Sequence, residues 1–529
     1  MISQNHSKLF YILQKFSIKI LFPEYFFEAS MDSALIDENN SQSYDSMATQ
    51  CNQHSELDRF TKYSPLTTLL IMTIGPLMNL VQITCETVDM LQVSIRYKND
   101  PTSNAMNLYG FCNVIVQTSI YAGLAFFQII TCYVPKFIGE RRHDTATQFT
   151  ADCYRGSFLF FSIFPFGFYF ALKPFLKFVG CPPELFQEAI EFTLWPIFGM
   201  FVVVFFNLTI GFFLAIGQSG YSAMTRILAN VLQSCIYTPV LLFAIKCTTK
   251  WIRSSMIFSQ VTILSIIIPL IFCGKFSIKP TLRMLIRPFT KEFPKSLLTG
   301  FPVLITFICI ALPPTLILKQ LTTSVVDKAK EIASVFAVFN RLSSYCAGTP
   351  QIFFYSFITC GSEAYGSKNY KRLFSYFGWA ILLSTCVVLC FEPLIVLKSD
   401  VIAGIFLYTD KEIEIAKILL PIPFYTLFLQ PLENACNAFL IVIGKPLYAM
   451  FCSTMQMLCL TVGSQILPKI FKEDPYKVMS VYPLTDLILL VVYGVMMIPP
   501  LIRIRREMKN IDLLSMSTVN INSKYESVF

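Results

Sequence analysis

The chain has 529 residues, 54% of them hydrophobic and 14% charged, with a mean hydropathy of +0.58. A soluble domain cannot hide that much apolar surface, since ordinary globular chains carry about a quarter charged residues. The net charge of +9 is no nucleic-acid footprint, because it sits in loops between apolar segments.

Residues 1–63 read as a cytoplasmic tail with two parts. The stretch 8–27 mixes lysines with aromatic and aliphatic residues, which suits an interfacial helix. It lacks a small-residue cleavage site, so it is not read as a signal peptide. Translation starting at Met31 is an equal alternative, since Met31–Gln53 reads as an acidic, Ser/Asn-rich tail.

Apolar segments of spanning length follow, near 66–93, 106–138, 156–179, 190–216, 221–245, 254–273, 297–322, 332–360, 373–397, 418–443, 447–470 and 481–502. Each is long enough to cross a hydrocarbon core of about 30 Å. The chain also repeats itself at a nearly constant offset. Gly75-Pro76 is echoed by Gly300-Phe301-Pro302, and Pro196-Ile197-Phe198 by Pro421-Ile422-Pro423-Phe424. Ile216-Gly217 and Tyr221-Ser222-Ala223-Met224 return as Ile443-Gly444 and Tyr448-Ala449-Met450. A duplicated apolar bundle is the usual plan of a transporter.

The predicted fold is therefore an all-α membrane protein of about twelve transmembrane helices in two six-helix lobes. Six is even, so both lobes enter the membrane in one sense, related by a pseudo-twofold along its normal. The expected divisions are a tail 1–63, an N-lobe 64–273, a basic cytoplasmic linker 274–296, a C-lobe 297–503 and a polar, unstructured cytoplasmic tail 504–529. The linker carries Lys275, Lys279, Arg283, Arg287, Lys291 and Lys295 against Glu292 alone. Arg503, Arg505, Arg506 and Lys509 flank the last segment, which puts both on the cytoplasmic side. Whether that membrane is the plasma membrane or an endomembrane is open.

The seventeen cysteines lie mostly inside apolar segments without metal-ligand spacing, and the three histidines lie in tails or loops. Buried small hydrophobes are the expected role of the cysteines, with a Cys181–Cys247 disulfide as the lesser alternative. No metal site and no catalytic set is expected, so the protein is read as no enzyme. No G-x-x-x-x-G-K-[ST] pattern occurs, so a pump of this kind would draw on an ion gradient. The groups that could bind and release a proton or sodium are acids within apolar segments.

Glu86 and Asp89 stand three residues apart in the first segment, on one helix face. Two such carboxylates cannot both ionise cheaply, which makes a proton site there. The alternative places both at the outer end of the helix, solvated. Glu433 lies about mid-membrane in the tenth segment, as a coupling site or as a structural pair with Arg341. Glu392 and Asp486 fall nearer segment ends, where interfacial placement is expected. Arg341 reads as the one basic residue well inside a segment. Some of the 51 phenylalanines could offer π faces to an organic cation if they line a cavity.

Several stretches resemble the multidrug and toxic compound extrusion (MATE) family, over residues 64 to 503. They are Asn340-Arg341-Leu342 with GSEAYGSKNYKR (361–372), GPLMNLVQITCETVD (75–89), GERRHDTATQFTADCYR (139–155) and KILLPIPFYTLFLQPLENACNAFLIVIGKP (417–446). The resemblance implies two six-helix lobes in a V around a central cavity. It also implies export of organic cations, drugs or metabolites against inward proton or sodium flow, with no other cofactor. By position, Asp89 matches the family's cation-binding aspartate, Glu433 an acidic position in helix ten, and Arg341 the helix-eight Asn-Arg-Leu pattern. Pro76 and Pro302 stand as helix-bend positions. Where many members carry Asn and Asp in helix five, this chain has Ser234 and Thr238, and Glu86 is expected to compensate. Helix seven also lacks the glutamate many eukaryotic members place there. The expected partners are a cationic, amphiphilic small molecule and membrane lipids, with the protein a monomer. Two rivals stay open: a lipid or lipid-linked-sugar flippase of the same superfamily, and a transport-inactive paralogue.

Overall fold

A computed structural model describes residues 60–97, 105–179, 183–325, 328–407, 410–470 and 475–526. The tail readings on 8–27 and Met31 lie outside the described residues, as does Cys181 of the suggested disulfide. Twelve helical passes appear, and there is no strand among the described residues. They are α1 (Pro65–Tyr97), α2 (Ala105–Gly139), α3 (His143–Val179), α4 in two pieces (Phe186–Phe198, Met200–Ala215), α5 (from Ser219) and α6 (Ser254–Phe272). The second set is α7 (Phe293–Ser324), α8 (Ala329–Gly366), α9 (Tyr370–Leu397), α10 in two pieces (Asp410–Leu419, Gln430–Val442), α11 (Pro446–Ile470) and α12 (Val481–Glu526). Ten passes are apolar and long enough to cross a membrane, and α7 and α8, at 32 and 38 residues, are long enough as well. The last helix runs well past Arg503, where the sequence suggested an unstructured tail. Arg, Lys, Glu and Met are good helix formers, and Arg503 pairs with Glu507 one turn on at 2.9 Å.

The duplication is written into the backbone. Arg141 and Lys368 are both left-handed at φ 58°, and they stand 227 positions apart (141 to 368). Gly217 and Gly444, at φ 76° and 73°, stand 227 apart as well (217 to 444). All four close a helix in the same way. The left-handed residue bonds back three positions and its successor bonds back five, which satisfies the last carbonyls. The broken helices match too, since α4 and α10 both break near the echoed proline segments.

Packing follows the same symmetry. In one half α1 lies against α5 and against α8 of the other half; in the other, α7 lies against α11 and against α2. Helices α2 and α8 then meet each other on the pseudo-axis. A Cβ on Gly139 would collide with the Glu363 carbonyl oxygen, and one on Gly366 with the Lys136 carbonyl oxygen. Residues 136 and 139 correspond to 363 and 366 at the same 227-residue offset, so the contact is reciprocal, like an isologous interface.

The apolar cores show where the halves join. Near the ends bearing the α2–α3 and α8–α9 turns, one continuous cluster runs from Met72, Phe127 and Phe206 through Phe357 to Phe439. At the opposite end each half keeps its own cluster, one around Phe192 and Leu176, the other around Phe336 and Leu419. The halves are thus joined on the linker side and separately cored on the far side. Arg372 on α9 adds a polar tie, donating to the carbonyls of Tyr63, at 2.8 Å, and of Phe60 at the entrance to α1.

The linker is docked on α3. Asp152, fully buried, accepts from Gln148 (3.0 Å), Arg155 (3.1 Å) and the Thr290 backbone N–H (2.7 Å). Arg155 also donates to the Leu285 carbonyl at 2.9 Å and lies 3.6 Å over the Phe289 ring. Next to it, Arg142 bonds Glu292 at 2.9 Å and holds that carboxyl below the ordinary range. Removing one partner of a buried pair costs about 3–5 kcal/mol. Asp152→Ala should therefore loosen the linker, and tryptic cleavage after Arg283 and Lys291 in solubilised protein should speed at least about tenfold. Unchanged cleavage would mean that Asp152 does not hold the linker.

Candidate functional site

Helices α1 and α5 run parallel and are stitched by a polar ladder with a seven-residue step. The Gly75 N–H donates to Ser219 Oγ at 2.8 Å, Arg226 Nη1 to Gln82 Oε1 at 2.8 Å, and Gln233 Nε2 to Asp89 Oδ2 at 2.5 Å. Each pair is 144 positions apart, so the register stays constant over four helical turns. Seven residues is two turns, the step at which side chains return to a seam between nearly parallel helices. Ser219 does a second job. Pro76 has no N–H for the Met72 carbonyl, and Ser219 Oγ donates to that oxygen instead at 3.1 Å. Pro76 and Pro302 both sit inside helices that continue through them.

At the top of the ladder the backbone of α5 changes form. Leu232–Tyr237 and Val240–Ala244 are π-helical, on either side of Pro239. A proline leaves a carbonyl one turn back without its donor, and the wider turn absorbs the mismatch. The result turns Gln233, Ser234 and Thr238 toward α1. Ser234 Oγ donates to the Cys85 carbonyl at 3.3 Å, and Gln92 Nε2 donates to the Ser234 carbonyl at 2.9 Å.

Asp89 is 5% exposed and forms the centre of this group, with Gln233, Ser234 and Thr238 around its carboxyl. One carboxyl oxygen, Oδ1, has no hydrogen-bond partner, and neither does Thr238 Oγ1. A carboxylate and a hydroxyl, both buried and both with spare lone pairs, suit a proton or a hard cation. Glu86 shares the helix face but not the bond. Its Oε1 accepts from Gln82 Nε2 at 3.2 Å, and the charges near it include Arg253 and Arg341. The direct partner of Asp89 is thus the amide of Gln233, which the sequence reading passed over.

Arg341 on α8 reaches across the halves, its Nη2 lying 3.7 Å from Met90 Sδ on α1. It stands near Glu86 rather than Glu433, so the suggested Glu433–Arg341 pair is replaced by another. Glu433 is buried in the first turn of the second α10 piece, and its neighbour is Asp486 on α12. Asp486 Oδ2 accepts from Thr426 Oγ1 at 2.6 Å, and Glu433 Oε1 has no partner. The sequence placed Asp486 at an interface, whereas it is 5% exposed. The short helical turns at 422–424 and 427–429, in the break of α10, cover the start of α12 and bury it.

Arg226 corrects a second expectation. It is 3% exposed on α5, so Arg341 is not alone as a basic residue within the bundle. The signal was present in sequence: Ser219, Arg226 and Gln233 repeat every seven residues, as do Gly75, Gln82 and Asp89.

Comparison with known proteins fits this geometry. The sequence profile of the MatE family matches residues 302–466. No curated protein matches the chain. Among solved structures, a MOP superfamily transporter from Pyrococcus furiosus Vc1 (DSM3638), whose binding pocket is described as of reverse polarity, superposes with a TM-score of 0.72. It shares 18% identity over 85% of this chain and 98% of its own. A MATE protein in complex with MaD3S gives 0.74 at 16% identity, over 85% and 98% of the two chains. An outward-facing multidrug resistance MATE family transporter of the MOP superfamily gives 0.72 at 17%, over 84% and 97%.

Proposed function

We propose that this chain is a MATE-type membrane transporter, and within that class a secondary active antiporter exchanging a small organic cargo for protons or sodium; the MatE match over residues 302–466 and the shared fold of the solved transporters support the reading. The observation that carries the reading is the buried Asp89 carboxyl on the α1/α5 ladder, with one oxygen and the Thr238 hydroxyl left for a small cation. A second buried acid pair, Glu433 with Asp486, gives the other half its own candidate. Ion binding at either place removes a buried negative charge. An ion can shift the equilibrium of the halves only by binding one arrangement better than the other. The acids are also what a cationic cargo would meet, so ion and cargo compete for the same charge. The available drive is about 2.3 kcal/mol per charge at 100 mV plus about 1.4 kcal/mol per pH unit.

Ethidium efflux from cells expressing the protein tests this directly. Efflux that collapses on adding a protonophore or removing sodium supports antiport; no efflux above control cells in either condition would contradict it. In the same cells Glu433→Gln and Asp486→Asn test the second pair. If the two acids share one proton or ion, each single change should remove most of the coupling that pair contributes. The double change should then cost little more than either, since residues acting as a unit are not additive.

A further inference from the structure

We propose that Arg226 forms an oxyanion subsite at the seam between the halves, so that the cargo of this transporter carries a carboxylate or phosphate group; this rests on the transport reading above. The guanidinium is 3% exposed, and it forms no ion pair among the described residues. Its hydrogen bond is to a neutral acceptor, Gln82 Oε1 at 2.8 Å, and its Nε has no partner. The nearest acid on the ladder, Glu86, gives its Oε1 to the Gln82 amide, so its charge meets Arg226 only through that side chain. Holding an ion in the interior without a counter-charge costs several kcal/mol, and natural sequences keep such groups where a partner arrives.

The location fits an arriving partner. Arg226 is on α5 of one half, and Tyr355 beside it is on α8 of the other, where the halves must part for cargo to pass. Tyr355 also packs edge-on to Phe127 of α2, with ring centroids 5.3 Å apart, which puts an aromatic pair across the seam. A planar guanidinium offers two parallel N–H donors to an oxyanion, which a neutral amide does not. Arg226 and Asp89 are two helical turns apart on the ladder, about 10 Å. A molecule with a cationic group at one end and an oxyanion at the other would meet both. The matching rung in the second half, 227 positions on, holds Ser453 in place of Arg226, so the subsite belongs to one half only.

The test uses purified full-length protein in proteoliposomes with two probes, a zwitterionic rhodamine bearing a free carboxylate and its methyl ester. Wild type should carry and bind the carboxylate dye. Losing a charge-assisted hydrogen bond costs about 1.5–3 kcal/mol, so Arg226→Gln should raise the ratio of carboxylate to ester Kd about tenfold or more. Arg226→Lys, which keeps a cation at that depth, should recover part of the ratio. A purely structural role would weaken both dyes alike, and that result would overturn the subsite. So would wild type that carries the ester and refuses the carboxylate, with the transport reading left standing. If wild type carries neither dye, both readings fall. Displacement of the bound dye by inorganic pyrophosphate in preference to benzoate assigns a phosphate cargo, and the reverse order a carboxylate one.

Discussion

Asp89→Asn is expected to leave the fold intact and to reduce ion-coupled cargo exchange at least about tenfold, the effect of losing one charge-assisted contact of 1.5–3 kcal/mol. The substitution is nearly isosteric, and the Gln233 amide can still donate to the remaining carbonyl oxygen. What disappears is the charge and the second acceptor oxygen, which is the one without a protein partner. Gln233→Ala tests the same place from the other side. It leaves the carboxylate in position and removes its strongest neutral partner, so exchange should persist with altered ion affinity rather than vanish. If Asp89→Asn exchanges cargo at the wild-type rate, the N-lobe ladder is a structural seam and not an ion site.

A large stability effect is also expected at the pseudo-axis. Gly139→Ala and Gly366→Ala each place a Cβ against a backbone carbonyl of the opposing helix, where no flexible side chain can yield. Overpacking of that kind costs about 1–3 kcal/mol per site. The two sites are the same contact seen from each half, so one small separation of α2 and α8 relieves both. The double variant should therefore lose clearly less than the sum of the singles in a thermal unfolding series. Additive losses would show that the two crossings are independent, and that the reciprocal contact is not one interface.

Much of this architecture was legible in the sequence because it rests on long-range regularities. Twelve apolar stretches and an offset near 226 were enough to expect two like bundles. The structure carries the same repeat down to the backbone angles of Arg141 and Lys368, neither of which is a glycine. The breaks in α4 and α10 were not expected from the sequence, which read both as continuous segments, although the echoed Pro196 and Pro421 segments lie beside them and proline removes a donor wherever it stands.

The site was less legible, and for a physical reason. The search for acids in apolar segments found Asp89, Glu86 and Glu433, because charge is what membranes penalise. It underweighted neutral amides such as Gln82 and Gln233, which only matter through a partner on another helix. Arg226 was not singled out either, because its place on the seam shows only through the seven-residue step that pairs it with Gln82. Asp486 was judged by distance from a helix end, whereas its burial comes from the short turns in the break of α10. Glu363 was missed for a similar reason. It is 1% exposed near the end of α8, and neither carboxyl oxygen has a hydrogen-bond partner. One-dimensional depth is a poor measure of burial where helices break and cross.

The measurement that bears most directly on the whole account is ion counterflow driven by cargo. Purified wild-type protein in sealed liposomes, given an outward cargo gradient and no ion gradient, should move protons or sodium inward in fixed ratio to the cargo released. Asp89→Asn in parallel vesicles should release cargo without that flow, or release none. Cargo leaving wild-type vesicles at full rate, with neither pH nor internal sodium changing, would show a uniporter and contradict ion exchange at these acids.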